Sequence, residues 1–561
     1  MSNSTNDALF DFKFYEWEKR FKDQPFLRQP FGDQWEEYTW GEVGQMARKL
    51  ATGLKSLGLR ENAHIGLISK NCREWIIADL AIVMAGYISV PFFPTLNAKE
   101  INTLLTFGDV DLLFTGKVEN WEEQKAGVPE GMPTIAFPHY KDHSNITEGH
   151  QWFDFINQFE PMQEPHHPKM SDTWTIIFTS GTTGTPKGVV LDYLANSKTA
   201  VLTLESNPLK VDFNGKNDFF SYLPLNHIAE RIVVEYAVFR FGGTVSFAES
   251  LDTFAQNLQD TQPTVFFAVP RIWTKFQTGI LAKLPDEKLN KLLRIPILSS
   301  ILKRKFKKAL GLSKARAIVS GAAPMLETQR AWFRKIGIGI TNGYGMTENC
   351  AITTQLDAKI SNKPGSVGIP QPEVNIKTDS ESGEILMQGP FMMKGYYKQP
   401  ELTDEVIKDG WLHTGDQGYI DEDGFLFITG RVKDMFKTSK GKYIEPLLLE
   451  AYFADIVELE QICVAGLGLP QPILLGVASE VGKAIGNDAL EAMLAKRLDE
   501  VNTQLAGYKK IATVIVTKDE WNVDNGLTTP TLKIKRNQVD KKYQTNYQDW
   551  YASEAKVIFE A

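Results

Sequence analysis

Thr173 to Val190 reads TWTIIFTSGTTGTPKGVV: an apolar, β-branched run, then glycines and hydroxyls, then Lys187 and a second apolar run. Its length and composition make Thr173 to Thr179 a buried strand. The strand leads into a loop able to bind phosphate. Glycines let backbone N–H groups approach an anion, the hydroxyls of Ser180, Thr182, Thr183 and Thr185 donate hydrogen bonds, and Lys187 adds a point charge. A flexible surface turn is the alternative, but four hydroxyls, three glycines and a lysine directly after a buried strand are too specific for one.

Outward from this loop the same texture recurs. Short β-branched runs such as His64 to Ser69, Val265 to Val269 and Arg316 to Ser320 alternate with longer helical patterns, which predicts an α/β fold with largely parallel sheets. The stretch Trp75 to Pro94 is apolar enough to suggest a membrane span, but Asp79, Gly86 and Pro91 interrupt it, so it reads as a buried helix running into a buried strand. Glu160 to Asp172 is proline-rich and polar, a connecting loop. After Gly430 the chain turns Lys-rich and then shows a β-α-β-like stretch from Ile462 to Val516, which predicts a boundary: residues 1–430 as one domain and 431–561 as a smaller second one.

The chain has 561 residues, 43% hydrophobic and 23% charged, so it can bury a large core without staples. Cys72, Cys350 and Cys463 lie far apart with no CxxC, which fits a reducing cytoplasm. The opening MSNSTNDALFDFKF lacks a basic stretch followed by an apolar run, so no secretory signal is read. A formal charge of −8 argues against nucleic acid as a partner, while anionic small substrates stay open because local cations can bind them. No HExxH, GxSxG or GxxxxGK[ST] motif occurs, and Gly466-Leu467-Gly468 lacks the third glycine of a dinucleotide fingerprint. His139, His143, His150, His166 and His167 crowd one region without the spacing of metal ligands and read as a solvated loop.

Further segments come in order: LPLNHIAER (Leu223 to Arg231), VPRIWTKF (Val269 to Phe276), SGAAP (Ser320 to Pro324), NGYGMTE (Asn342 to Glu348), WLHTGD (Trp411 to Asp416), GRVKD (Gly430 to Asp434), TSKGKYIEP (Thr438 to Pro446) and LTTPTLKIKR (Leu527 to Arg536). With the opening loop, this series resembles the adenylate-forming superfamily of acyl-CoA synthetases, adenylation domains and luciferases, over nearly the whole chain. Its wording is similar to the long-chain fatty acyl-CoA synthetase branch. The resemblance implies a large α/β N-terminal domain of mostly parallel sheets flanked by helices with a β-barrel-like subdomain, followed by a small mobile α+β C-terminal domain. It further implies ATP, Mg²⁺ and CoA, a fatty acid activated to acyl-AMP with pyrophosphate release, and a thioester as product. Delivery to a carrier-protein thiol, or a non-catalytic nucleotide- or lipid-binding relative, are the alternatives. The combination of Lys187, Glu348, Asp416, Arg431 and Lys533 argues against the last.

Residue by residue, the resemblance assigns the triphosphate to Thr179, Ser180, Gly181, Thr182, Thr183, Gly184 and Lys187. It assigns adenine and ribose to Gly321, Ala322, Ala323, Asn342, Gly343, Tyr344, Gly345, Asp416, Ile428 and Arg431. The residue types agree: small side chains let backbone lie against a flat purine, Tyr344 offers a stacking face, and an aspartate can accept two ribose hydroxyls at once. Thr347 and Glu348 match positions that bind the α-phosphate and Mg²⁺, and a carboxylate suits a hard cation. His227 matches the position beside the incoming carboxylate, although a lone histidine is more often a packed core residue, and Glu230 and Arg231 are as well explained by pairing with each other on a helix. Lys533 matches the catalytic lysine, Lys433 the hinge, and Ser439, Lys440, Gly441 and Lys442 the loop on the CoA side.

One pattern stands apart from the resemblance. Between Leu298 and Leu310, helical spacing puts Leu298, Ile301, Leu302, Phe306 and Leu310 on one face and Lys303, Arg304, Lys307 and Lys308 on the other. That is how an interfacial helix is written, though most amphipathic helices pack on a core. The expectation is a cytoplasmic protein whose helix 298–310 could touch the inner membrane face, with a homodimer neither required nor excluded.

Overall fold

The computed structural model describes residues 12–179, 186–207, 209–351, 353–354, 363–453, 456–523, 525–529 and 533–560, without the side chains of 200–206. Two large, mainly parallel sheets carry the first 400 residues or so. The strand Thr173–Thr179 lies inside an eight-stranded sheet, parallel to Ile88–Phe92 on one side and antiparallel to Lys187–Asp192 on the other. From Ile88–Phe92 outward through His64–Ile68, Val110–Thr115 and Thr134–Ala136, that sheet stays parallel. The seven-stranded sheet runs Thr341–Asn342, Ala317–Ser320, Val265–Ala268, Asp218–Ser221, Thr244–Phe247, Pro25–Phe31, Gln34–Thr39, parallel except at the last pair.

Between Trp75 and Pro94 the structure has a helix, Arg73–Met84, with all twelve residues buried, followed by the strand Ile88–Phe92. A helix apolar all round must be covered all round, which explains how it could imitate a membrane span. No helix among the described residues is long and apolar enough to cross a membrane.

Where a barrel-like subdomain is expected, five antiparallel strands are found: Asn375–Thr378, Glu384–Gln388, Trp411–Ile420, Ile407–Lys408 and Leu426–Arg431. Beyond them a two-stranded ribbon, Phe436–Lys437 with Tyr443–Ile444, precedes a C-terminal four-stranded sheet of Leu459–Ala465, Ile473–Ala478, Val514–Thr517 and Val557–Phe559. The helices Glu480–Ile485 and Asn487–Asn502 fill the crossover before Val514–Thr517, which is the β-α-β texture read from the sequence.

One buried charge cluster joins these layers. Arg231 is fully buried; its Nη2 lies 2.6 Å from Asp79 Oδ2 in the central helix and its Nε 3.0 Å from Glu235 Oε2. Its Nη1 donates to Thr175 Oγ1 (2.8 Å) on the strand that leads into the phosphate loop, and its plane lies over the Trp174 ring at 4.7 Å. Burial opposes the guanidinium charge, but Asp79 and Glu235 outweigh it and hold the arginine protonated. Burial together with the Asp79 charge pushes Glu235 well above the ordinary carboxylate range. Glu230 does not pair with Arg231: its Oε1 accepts from Tyr222 N–H (3.0 Å), and burial raises its pKa to about 8. The sequence-based pairing of Glu230 with Arg231 is therefore corrected, because residues one apart on a helix point in different directions.

Removing one member of a buried ion cluster strands the others, at a cost of about 3–5 kcal/mol. Arg231→Met is expected to lose that much stability in urea denaturation followed by tryptophan fluorescence. A loss below about 1 kcal/mol, the level of an exposed pair, would contradict the role given to the cluster.

Candidate functional site

The strands Ala317–Ser320 and Thr341–Asn342 end side by side, with Ser320 opposite Asn342 and Gly343 N–H donating to Ser320 O (2.9 Å). Both succeeding turns, SGAAP and NGYGMTE, thus leave the same carboxyl edge of a parallel sheet, where α/β folds bind ligands. A side chain at Gly321 would put its Cβ 3.1 Å from Gly343 O and 3.3 Å from the Phe267 ring, tight enough that the neighbours would have to give way by a few tenths of an ångström. Ala322 holds a left-handed φ of 64°, a strained conformation of the kind found at binding turns. Ser320 Oγ and Asn342 Oδ1 are buried and have no partner among the described residues. An unmet buried acceptor costs about 1–3 kcal/mol, which a donor such as a purine amine would recover.

Asp416 forms the next wall. Its Oδ2 accepts from Tyr344 O–H (2.7 Å), its Oδ1 lies 2.8 Å from Arg431 Nε, and its own N–H donates to Thr414 Oγ1 (3.1 Å). Strand pairing sets this up, because Asp416 is opposite Arg431 in the antiparallel ladder. Ile428 and Tyr344 pack on the same small cluster of Val367, Ile385 and Leu426. Burial and the Asp416 charge raise the Tyr344 pKa well above its ordinary value, so it stays a donor. A carboxylate has about four acceptor positions, leaving room for a diol beside these two bonds.

Glu348 lies in the short 3₁₀ turn Thr347–Asn349, with Thr347 buried. Its Oε1 accepts from Tyr396 O–H (2.9 Å), and Lys187 Nζ stands 5.5 Å over the same tyrosine ring. Lys187 is reached because it faces Thr179 in the hairpin around the phosphate loop. Ser180, Gly181, Thr182, Thr183 and Gly184 lie outside the described residues. Tyr396 was missed by the sequence reading. It belongs to no motif, and its place results from pairing of Gly395–Tyr396 with Val189 and Val190, a long-range contact. No three His, Cys, Asp or Glu side chains among the described residues gather as a metal site. A single carboxylate, Glu348, suits Mg²⁺ that is held mainly by substrate phosphates.

His227 caps the turn Ile228–Glu230: its Nδ1 accepts from Ala229 N–H (3.3 Å), which puts the proton of the neutral ring on Nε2. Burial, and then the charge of Lys533, push the imidazole down to about 3. Lys533 is pulled below the ordinary lysine value by its protein surroundings and then by Arg431, while Asp416 and Glu348 attract it. Lys533 thus lies within electrostatic reach of His227, Glu348, Asp416 and Arg431, which come from distant parts of the sequence. Lys433, Ser439, Lys440, Gly441 and Lys442 join the cluster by no hydrogen bond or ion pair among the described residues. Ser439 N–H donates instead to Leu469 O (2.9 Å), with Gly441 at φ 75° closing the turn.

A histidine whose pKa falls on folding lends stability above its unfolded value near 6.5 and loses it as pH drops toward about 3. By NMR titration His227 is expected to stay neutral at about pH 5, and Lys533→Ala to move its midpoint upward. A His227 midpoint near 6.5 that ignores Lys533→Ala would contradict this geometry.

Residues 14–397 match the model of the AMP-binding enzyme family. The chain is 29% identical to long chain acyl-CoA synthetase 5 of Arabidopsis thaliana, over 91% of this chain and 86% of that protein. It is 30% identical to the peroxisomal long chain acyl-CoA synthetase 6 of the same plant, over 90% and 80%. Among solved structures, the anthranilate CoA ligase AuaEII with anthranoyl-AMP superposes with a TM-score of 0.76 at 21% identity, covering 95% of this chain and 98% of that one. O-succinylbenzoate coenzyme A synthetase of Bacillus subtilis with AMP gives 0.72 at 22%, covering 94% and 98%. With a family match spanning most of the chain and a fold to go with it, the protein belongs to the AMP-binding enzymes.

Proposed function

We propose that this chain is an ATP-dependent fatty acyl-CoA synthetase acting on long-chain acids. One arrangement carries the reading: Asp416, held by Tyr344 and Arg431, and Glu348, held by Tyr396, stand at or beside the turns that leave two parallel strands, within electrostatic reach of Lys533 from the C-terminal region. A cation placed there holds two anions, the substrate carboxylate and the α-phosphate, and stabilises the charge that builds up as they react. The long-chain assignment is supported by the names of the relatives.

In the first step a carboxylate oxygen attacks the α-phosphorus of ATP, the bond to the bridging oxygen breaks, and pyrophosphate leaves. In the second, the CoA sulfur attacks the acyl-AMP carbonyl, its proton passes to solvent, and AMP departs. Asn342 and Ser320 face the purine, Tyr344 stacks on it, and Asp416 with Arg431 holds the ribose. Gly321, Ala322, Ala323, Gly343 and Gly345 supply the close backbone. Thr179 to Gly184 and Lys187 hold the phosphates, with Thr347 at the α-phosphate. Glu348, aimed by Tyr396, would hold the Mg²⁺ that ATP carries, which would screen the phosphate charge. His227, neutral at working pH, lies beside the acid without adding positive charge. The boundary falls between residues 430 and 431, Lys433 is the hinge, and rotation about it exchanges Lys533 for the loop Ser439 to Lys442 on the CoA side.

Lys533→Ala is expected to cut acid-dependent pyrophosphate release by at least about a hundredfold while thioester formation from supplied acyl-AMP changes only a few fold. Equal loss in both half-reactions would overturn the role. Tyr396→Phe removes one hydrogen bond to a charged group and should lower kcat/KM for adenylation by roughly ten- to a hundredfold. Acyl transfer to carrier protein in preference to CoA, in the same assay, would replace the product while leaving the adenylation chemistry standing.

A further inference from the structure

The segment 286–309 carries eight lysines and arginines against two carboxylates, in a chain whose net charge is −8. None of the eight makes an ion pair among the described residues, whereas Asp286 is taken by Trp332 Nε1–H (3.0 Å) and Lys335 (3.9 Å). The helix Pro296–Ala309 contains no buried residue. Its apolar face, read from the sequence as one stripe, divides in the structure. Phe306 and Leu310 pack on the core around Trp273 and Phe333, while Ile297, Leu298 and Ile301 face solvent at 75%, 37% and 45% exposure, beside Ile295 at 49%.

Helical spacing sets these three on one side, and the next turns on that side bring Arg304, Lys305 and Lys308, all exposed. The outward face therefore begins as a cluster of isoleucine and leucine and continues as a basic strip. The cations are not opposite the exposed apolar residues, as the sequence pattern suggested, but in line with them. Large apolar side chains held in water next to unpaired cations are disfavoured unless something covers them. The cover must be apolar at one end and anionic along its surface.

We infer that this helix docks on an anionic lipid bilayer, with Ile297, Leu298 and Ile301 entering the acyl boundary and Arg304, Lys305 and Lys308 lying among acidic headgroups. Charge complementarity selects a bilayer over a second copy of the chain, since two copies would set one basic strip against another. Phe306 and Leu310 fix the helix to the body of the protein, so docking orients the whole molecule on the surface.

The test uses the full chain in vesicle flotation, with phosphatidylcholine alone and with an equal mixture of phosphatidylcholine and phosphatidylglycerol. Binding is expected only to the mixed vesicles, weakening as salt is raised. The triple substitution Ile297→Ser, Leu298→Ser, Ile301→Ser and the charge reversal Arg304→Glu, Lys305→Glu, Lys308→Glu should each reduce it by at least about tenfold. All six positions are exposed, so circular dichroism should show both variants folded. No binding to mixed vesicles, equal binding to neutral ones, or unchanged binding by either folded variant would overturn the inference. A concentration-dependent dimer in sedimentation that the serine variant abolishes would overturn it too, in favour of a protein interface.

Discussion

A single buried guanidinium governs how the two large sheets meet. Arg231 reaches the central helix through Asp79, the phosphate-loop strand through Thr175, and its own segment through Glu235. Four residues earlier in that segment stands His227, so the same anchor that fixes the strand Thr173–Thr179 also fixes the turn that carries this histidine. Dense packing on Trp75, Trp174 and Tyr236 leaves the guanidinium no solvent to fall back on, which is why its partners must be complete. The five residues Arg231–Glu235 form a π-helical turn, the widened geometry that commonly accompanies a functional segment.

The C-terminal part is held differently. Asp416 and Arg431 meet across an antiparallel ladder at the start of that part, and Arg271 of the helix Pro270–Lys283 meets Glu460 on the strand Leu459–Ala465 in a partly exposed ion pair. Exposed pairs contribute at most about 1 kcal/mol each. Inside the C-terminal region, by contrast, Arg536 binds Glu450 at 2.8 Å and Val464 O at 2.7 Å in a nearly closed cluster. A tightly built unit joined to its neighbour through such pairs is consistent with the rotation proposed above.

Much of the site was legible because its chemistry is written in consecutive residues. The SGAAP and NGYGMTE turns, Asp416 and Glu348 all lie in short motifs, and the structure sets the two turns at one sheet edge, with Tyr344 joining the second to Asp416. Strand positions were legible from β-branched runs, and the wholly buried helix from its unbroken apolar character. Partnerships across the fold escaped. Tyr396 supports Glu348 only because two strands pair far from each other in sequence. Asp79 answers Arg231 across 152 positions, and sequence proximity suggested Glu230 instead. The helix Pro296–Ala309 shows the same limit, since periodicity orders side chains around a helix but does not say which of them the core takes.

All of this converges on adenylate formation before thiol transfer. The most direct measurement is exchange of labelled pyrophosphate into ATP with a series of carboxylic acids and no CoA present. Exchange that depends on a long-chain acid and needs no CoA is the predicted result, because the acyl-AMP must form reversibly on the enzyme by itself. Exchange that requires CoA, or that no acid supports while ATP still binds, would contradict the account.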